Sequence, residues 1–329
     1  MGPNGVLYIE DVRREEILKR LPDGRFKVAV GTGADGYSGD GGRATRAEID
    51  IRTSSSMVEA LTGVLYFVQQ RSKRFGHFST VVRKVTPNGR ISTVIGAHPK
   101  CNAAEVQSQS TPAQHANLSG GSLAITPNGA LAVLADNCPP QGPTHGPELL
   151  SLTADGRLVN APQSSTVAKA NNGNCNGGLA YSGTGTVYLA CYVGGPGSFK
   201  GLLQIEPDGQ AKRFPRNYPS YDGPDWLTGT PTGTVLTLDF GRVMRLTSQG
   251  PKTVVDLGTA SNRKIFGTVK YKAEHYPRQM IPNGAAEDRS GDIYLASTSG
   301  LGDGTYTGII EVHNTGRIQV LWSSPGASY

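Results

Sequence analysis

The chain has 329 residues and a net charge of +6, with 18% charged and 37% hydrophobic residues, 44 glycines and 21 prolines. That balance builds a packed core and excludes a disordered or collagen-like chain. No apolar run reaches the length of a membrane-spanning helix, no secretory signal is read at the start, and the modest basic excess is too dispersed for a nucleic-acid footprint.

In chain order, the first unit opens inside a turn at Gly5, runs through a strand at Leu7-Tyr8-Ile9, and reaches the hairpin turn Leu21-Pro22-Asp23-Gly24. Asp-Gly and Asn-Gly between apolar runs signal hairpins, because the turn needs a positive φ that Gly, Asn and Asp adopt at least cost. The signal recurs at Thr86-Pro87-Asn88-Gly89, Thr153-Ala154-Asp155-Gly156, Glu206-Pro207-Asp208-Gly209, Thr247-Ser248-Gln249-Gly250 and His313-Asn314-Thr315-Gly316. A second hairpin precedes each, its turn ending at Gly63, Gly129, Gly185, Gly233 and Gly291 before strands such as Leu65-Tyr66-Phe67-Val68 and Ile293-Tyr294-Leu295-Ala296. Each unit thus holds four strands, named a to d.

Six such units, spaced by about 40 to 67 residues, predict an all-β, six-bladed β-propeller with four antiparallel strands per blade. The blades are expected at about 1–31 with 324–329, 54–96, 119–162, 176–215, 224–257 and 282–322 of a single domain. The first unit lacks its innermost strand. Pro325 through Tyr329, running into Met1-Gly2-Pro3-Asn4-Gly5, aligns with Pro282 to Gly291, so the C-terminal segment is expected to supply that strand and close the ring. No stretch reads as an amphipathic helix, since Asp11 to Leu21 is assigned to a loop and a strand.

The segment Gly31-Thr32-Gly33-Ala34-Asp35-Gly36-Tyr37-Ser38-Gly39-Asp40-Gly41-Gly42 resembles the loop that links blades in bacterial NHL-repeat proteins, and Val82 to Gly96 resembles their c–d hairpin. The resemblance is confined to the first two blades. It implies the six-bladed propeller and no single activity, because the family includes sensors, scaffolds and a few enzymes.

Function in a propeller sits where the irregular d–a and b–c loops converge on the central channel. The expected ligand-binding residues there are Asp225, Trp226, Asn283, Tyr221, Asp136, Asp239 and Gln69. His115, His145 and His275 fall in loops assigned to the same face and are candidate metal ligands, with zinc or calcium as the candidate divalent cation. The amidating lyases, which resemble NHL propellers, hold zinc with three histidines from different blades, whereas two of these three belong to one blade. Asp35 and Asp40 are a second calcium candidate. Arg71, Lys73 and Arg74 beside Phe75, His77 and Phe78 form a basic, aromatic b–c loop. Cys101 with Cys138 and Cys175 with Cys191 are expected to pair as disulfides across loops of the third and fourth blades, which points to an extracellular or cell-surface protein.

No nucleophile elbow, phosphate-binding loop or dinucleotide fingerprint occurs. Two functions remain from the sequence. One is a monomeric binding propeller taking a glycan, peptide, small molecule or protein at the channel mouth; the other is a metal-assisted lyase, cyclase or hydrolase in which His275, Asp225 and His115 handle protons.

Overall fold

A computed structural model describes residues 5–51, 56–74, 77–98, 110–137, 148–171, 178–191, 201–214, 226–239, 242–247, 249–257, 259, 268–271, 274–277, 281–300 and 305–324. It is a six-bladed β-propeller. The first blade contains β1 (Tyr8–Asp11), β2 (Glu16–Arg20) and β3 (Phe26–Val30), paired antiparallel in that order. The strand expected from Pro325 through Tyr329 lies outside the described residues. The second blade is β4 (Met57–Glu59), β5 (Leu65–Arg74), β6 (His77–Val85) and β7 (Ile91–Ile95).

Next in the chain comes β8 (Ser110–Pro112), which lies against the outer strand of the third blade. That blade runs β9 (Leu118–Ile125), β10 (Leu131–Asn137), β11 (Glu148–Leu152) and β12 (Arg157–Asn160). One antiparallel bridge, Thr80 to Leu118, joins the second and third blades into a nine-stranded sheet. Blade four is β13 (Gly178–Tyr181), β14 (Val187–Cys191), β15 (Gly201–Ile205) and β16 (Ala211–Phe214). Blade five is β17 (Trp226–Gly229), β18 (Val235–Asp239), β19 (Arg242–Thr247) and β20 (Gly250–Asp256). A separate hairpin, β21 (Thr268–Tyr271) with β22 (Glu274–Pro277), precedes blade six, which is β23 (Ile281–Glu287), β24 (Ile293–Gly300), β25 (Thr305–Val312) and β26 (Ile318–Ser324).

Ten of the tight turns share one hydrogen-bond pattern, in which the first turn residue donates to the carbonyl four positions on and the glycine donates back; Thr86 N to Arg90 O at 2.9 Å with Gly89 N to Thr86 O at 2.8 Å is an example. Each such glycine is left-handed, from Gly63 at φ 77° to Gly185 at φ 90°. This is the three-residue hairpin whose left-handed last position only glycine fills without strain. Where the first residue carries a hydroxyl it seals the turn: Thr153 Oγ1 accepts from Arg157 N at 3.0 Å, and Thr126 Oγ1 from Ala130 N at 3.0 Å.

The alternation of each strand sends apolar residues into both neighbouring interfaces. In β14, Val187, Leu189 and Cys191 pack toward blade three while Tyr188 and Ala190 pack toward blade five. The core therefore divides into six clusters, one for each pair of adjacent blades. The seam between blades six and one packs Leu7, Ile9 and Phe26 against Ala286, Tyr294 and Leu321, so side-chain packing closes the ring within the described residues.

Two departures from the sequence expectations lie at the blade junctions. A helix, α1 (Ser164–Asn171), follows blade three and buries Val167 in the interface with blade four; one apolar anchor is too sparse to register as an amphipathic period. Ala44 to Arg46 and Ala113 to His115 form matching 3-10 turns, each tying the end of one blade to the outer turn of the next: Ala44 N donates to Gly89 O and Ala113 N to Gly156 O, both at 2.8 Å. The basic segment Arg71 to Arg74 continues β5 rather than forming a loop.

Candidate functional site

The innermost strands stand around a central channel that holds a cavity of about 310 Å³. All six blades contribute to its wall: Tyr8, Glu59, Ser122, Tyr181, Trp226 and Arg289 come from blades one to six in turn. Leu61, Pro127 and Pro231, which sit in the a–b turns, reach the same cavity, so this part of the channel extends to the uniform turn face. Leu61 is 60% exposed there.

Trp226 begins β17, where it pairs with Leu238 and packs against the interface of blades five and six. The Tyr181 ring is buried against the seam of blades three and four; its hydroxyl has no hydrogen-bond partner among the described atoms, and burial pushes its pKa up to about 12. Across the channel, Tyr8 is pushed up to about 12 by burial and by the adjacent negative charge of Glu59. Ser56 Oγ accepts from Leu123 N at 2.7 Å, bridging blades two and three at the wall. Three aromatic rings, a buried carboxylate, one arginine and several hydroxyls make a wall that offers flat apolar faces and hydrogen-bonding groups together.

Trp226 is the expected ligand-binding residue that the structure places in the channel wall. The backbones of Asp136 and Asp239 lie at the ends of β10 and β18, and Asn283 falls within β23 where its register shifts between Pro282 and Gly284; their side chains, with Asp225 and Tyr221, lie outside the description.

Gln69 is corrected. It is fully buried in β5, where its Nε2 donates to Gly36 O at 2.7 Å and its Oε1 accepts from Arg83 Nη1 at 3.2 Å. Both ends of the amide are spent on holding the glycine-rich linker. Arg83, also fully buried, is the centre of that arrangement: it donates to Ser38 O at 2.8 Å, pairs with Asp40 Oδ1 at 2.7 Å and lies 5.2 Å from the centroid of the Tyr37 ring. The pairing commits Asp40 to Arg83, which removes the reading of Asp35 and Asp40 as a calcium pair. A sequence signal existed, because alternation along β6 puts Arg83 on the same face as Val81 and Val85.

His115 ends the 3-10 turn between β8 and β9, at the position that Arg46 holds in the preceding junction. His275 lies in β22, outside the four-stranded blades, and its side chain, like the whole of His145, is outside the description. Cys191 is buried at the end of β14, with its Sγ 3.7 Å from Leu189 O. Cys101, Cys138 and Cys175 lie outside the described residues, and so do the two expected pairings.

A group of ligating side chains not foreseen from the sequence occurs on blade six, where donor atoms of Asp292, Glu311 and His313 lie within 4.8 Å of one another. The signal was a departure from the repeat. His313 occupies the turn position held by Thr86 and Thr153 in other c–d hairpins.

Comparison with known proteins supports the fold. No family model and no curated protein sequence matches the chain. Among solved structures, the chain is similar to a gluconolactonase from Xanthomonas campestris at 14% identity and TM-score 0.50, covering 89% of this chain and 79% of that one. It is similar to a protein of unknown function from Bacteroides caccae at 12% identity and TM-score 0.50, covering 97% and 93%. A glucose dehydrogenase aligns at 13% identity and TM-score 0.41, covering 89% of each chain. The two structures at TM-score 0.50 share the fold with this chain and nothing further. No described helix is long and apolar enough to cross a membrane.

Proposed function

We propose that this chain is an NHL-like binding propeller that takes a polar, sugar-sized ligand in its central channel. The observation that carries the reading is the 310 Å³ cavity walled by all six blades, with Trp226 and Tyr181 in its lining; the Tyr181 hydroxyl is buried and has no partner among the described atoms. A buried hydroxyl without a partner costs free energy that a ligand oxygen recovers. The volume lies at the lower end of the range for small-molecule sites, which fits a mono- or disaccharide better than a folded partner. A disulfide at Cys191, expected from the sequence, would suit an oxidising, exported setting. The expected pairing of Cys191 with Cys175 and of Cys101 with Cys138 belongs to this proposal.

The sequence contains two tryptophans, Trp226 and Trp322. Replacing Trp322→Phe leaves Trp226 as the sole tryptophan reporter on the channel. Titration with glucose, N-acetylglucosamine, cellobiose and gluconate should give a saturable emission change with at least one sugar, weakened by Tyr181→Phe. Silence across all four probes, or binding indifferent to Tyr181, would overturn the reading.

A further inference from the structure

We propose that Asp292, Glu311 and His313 form a binding site for one divalent transition-metal cation, zinc foremost, on the turn face of blade six and separate from the channel. The three side chains come from two hairpins held in fixed relation. Asp292 follows the a–b turn, whose Asp288 N donates to Asp292 O at 3.0 Å; Glu311 lies in β25; and His313 opens the c–d turn, where its N donates to Arg317 O at 2.8 Å. Asn314 staples the turns together: its backbone N donates to Asp292 Oδ1 at 2.8 Å and its Nδ2 to Ser290 O at 2.7 Å.

His313 Nδ1 lies 3.4 Å from Asp292 Oδ2, and His313 Nε2 lies 3.8 Å from Glu311 Oε2. Two ligands bound to zinc at its usual bond lengths stand ~3.3 Å apart at a tetrahedral edge. The two separations run to different ring nitrogens, of which a single cation takes one; with one donor atom from each residue all three lie within 4.8 Å of one another, so gathering them on one zinc needs a closing movement of about an ångström. One imidazole with two carboxylates is a borderline donor set suited to zinc and its neighbours, rather than to the oxygen-only shells of calcium and magnesium.

Supporting groups already orient the oxygens. Gln319 Nε2 donates to Glu311 Oε2, and the Tyr294 hydroxyl, which also hydrogen-bonds to Asp288 Oδ2 at 3.3 Å, hydrogen-bonds to Glu311. Such outer contacts leave a second lone pair on each carboxylate oxygen for a cation. Glu311 is buried while Asp292 and His313 reach solvent, so a cation has an entry path and room for a water ligand.

The repeat supplies an independent argument. The positions of Asp292, Glu311 and His313 correspond to Val64, Lys84 and Thr86 in blade two, and to Ala130, Ser151 and Thr153 in blade three. Thr86 and Thr153 seal their own turns through Oγ1. Blade six gives up that hydroxyl seal for an imidazole and, at the two positions facing it, replaces apolar, basic or small residues with carboxylates. Three coordinated departures converge on one spot.

The test uses protein purified without a histidine tag and stripped with chelator, titrated calorimetrically with zinc chloride at neutral pH. One equivalent per chain and a raised melting temperature are expected. His313→Thr installs the residue that opens the c–d turns of blades two, three and five and should fold normally while binding zinc more than about tenfold more weakly; Asp292→Asn should do the same. Substoichiometric binding, or equal affinity in wild type and His313→Thr, would overturn the site. So would a melting temperature indifferent to zinc.

Discussion

At Arg83 a single side chain explains why the glycine-rich linker has its composition. A guanidinium with no solvent exposure needs its donors met, and the linker curls over its terminal nitrogens with Ser38 O and Asp40 and lays the Tyr37 ring against it, while Nε has no partner among the described atoms. Arg83→Ala should destabilise the protein by roughly 3–5 kcal/mol in urea unfolding, because the linker loses its anchor. Asp40→Asn should cost less, since Asp40 is 44% exposed and the carbonyl and Gln69 contacts remain. Glu10 is the opposite case. Its Oε1 is buried without a hydrogen-bond partner, and burial pushes its pKa from 4.5 up to about 8. The folded state therefore keeps a proton that the unfolded chain releases above its ordinary carboxylate value. The stability linked to Glu10 is whole below pH 4.5 and falls as pH rises toward 8, by about 1.4 kcal/mol per pH unit at most. Glu10→Gln should flatten that decline, read as urea midpoints at pH 5 and pH 8.

The hairpin was the element most legible in the sequence, because a left-handed turn residue leaves an unmistakable glycine. Gly39 in the linker shows how strict that demand becomes when close approach joins it: its φ is +87° and an added Cβ would stand 2.8 Å from the Cα and Cβ of Ala47. Gly39→Ala should cost roughly 2–4 kcal/mol, whereas Gly41→Ala, with φ +80° and open space, should cost about 1 kcal/mol; thermal unfolding of the pair separates crowding from backbone strain. Elements whose reasons lie in another part of the chain were not legible. The helix α1 rests on Val167, the paired 3-10 turns on carbonyls of a neighbouring blade, and Gln69 on a linker that precedes it by more than one strand. The channel wall was legible at Trp226, since strand entry is a position in the repeat. Tyr181 and Arg289 belong to the opposite end of their hairpins, the end that uniformity had marked as structural. Between blades five and six, Arg245 grips Glu287 with two bonds, at 3.0 and 2.7 Å, and Glu287 is almost fully buried. A double-mutant cycle on Arg245 and Glu287 should return a coupling of roughly 1–3 kcal/mol that survives raised salt.

For the whole molecule, stability is a circular sum of six interfaces, and a ring is as durable as its weakest seam. Among the described residues, the cluster between blades six and one has three buried members, Leu7, Ala286 and Tyr294, fewer than any other. The expected C-terminal strand would reinforce that seam, so deleting residues 325–329 should lower the melting temperature and broaden the transition. The opposite extreme lies between blades two and three, where Thr80 meets Leu118 across the gap and β8 lies along β12. That one bridge adds backbone hydrogen bonding to a seam that side chains already pack, which couples the opening of these two blades. In native-state hydrogen exchange these two blades should therefore surrender their slowest amides together, as one unit of the ring, while the remaining blades open singly.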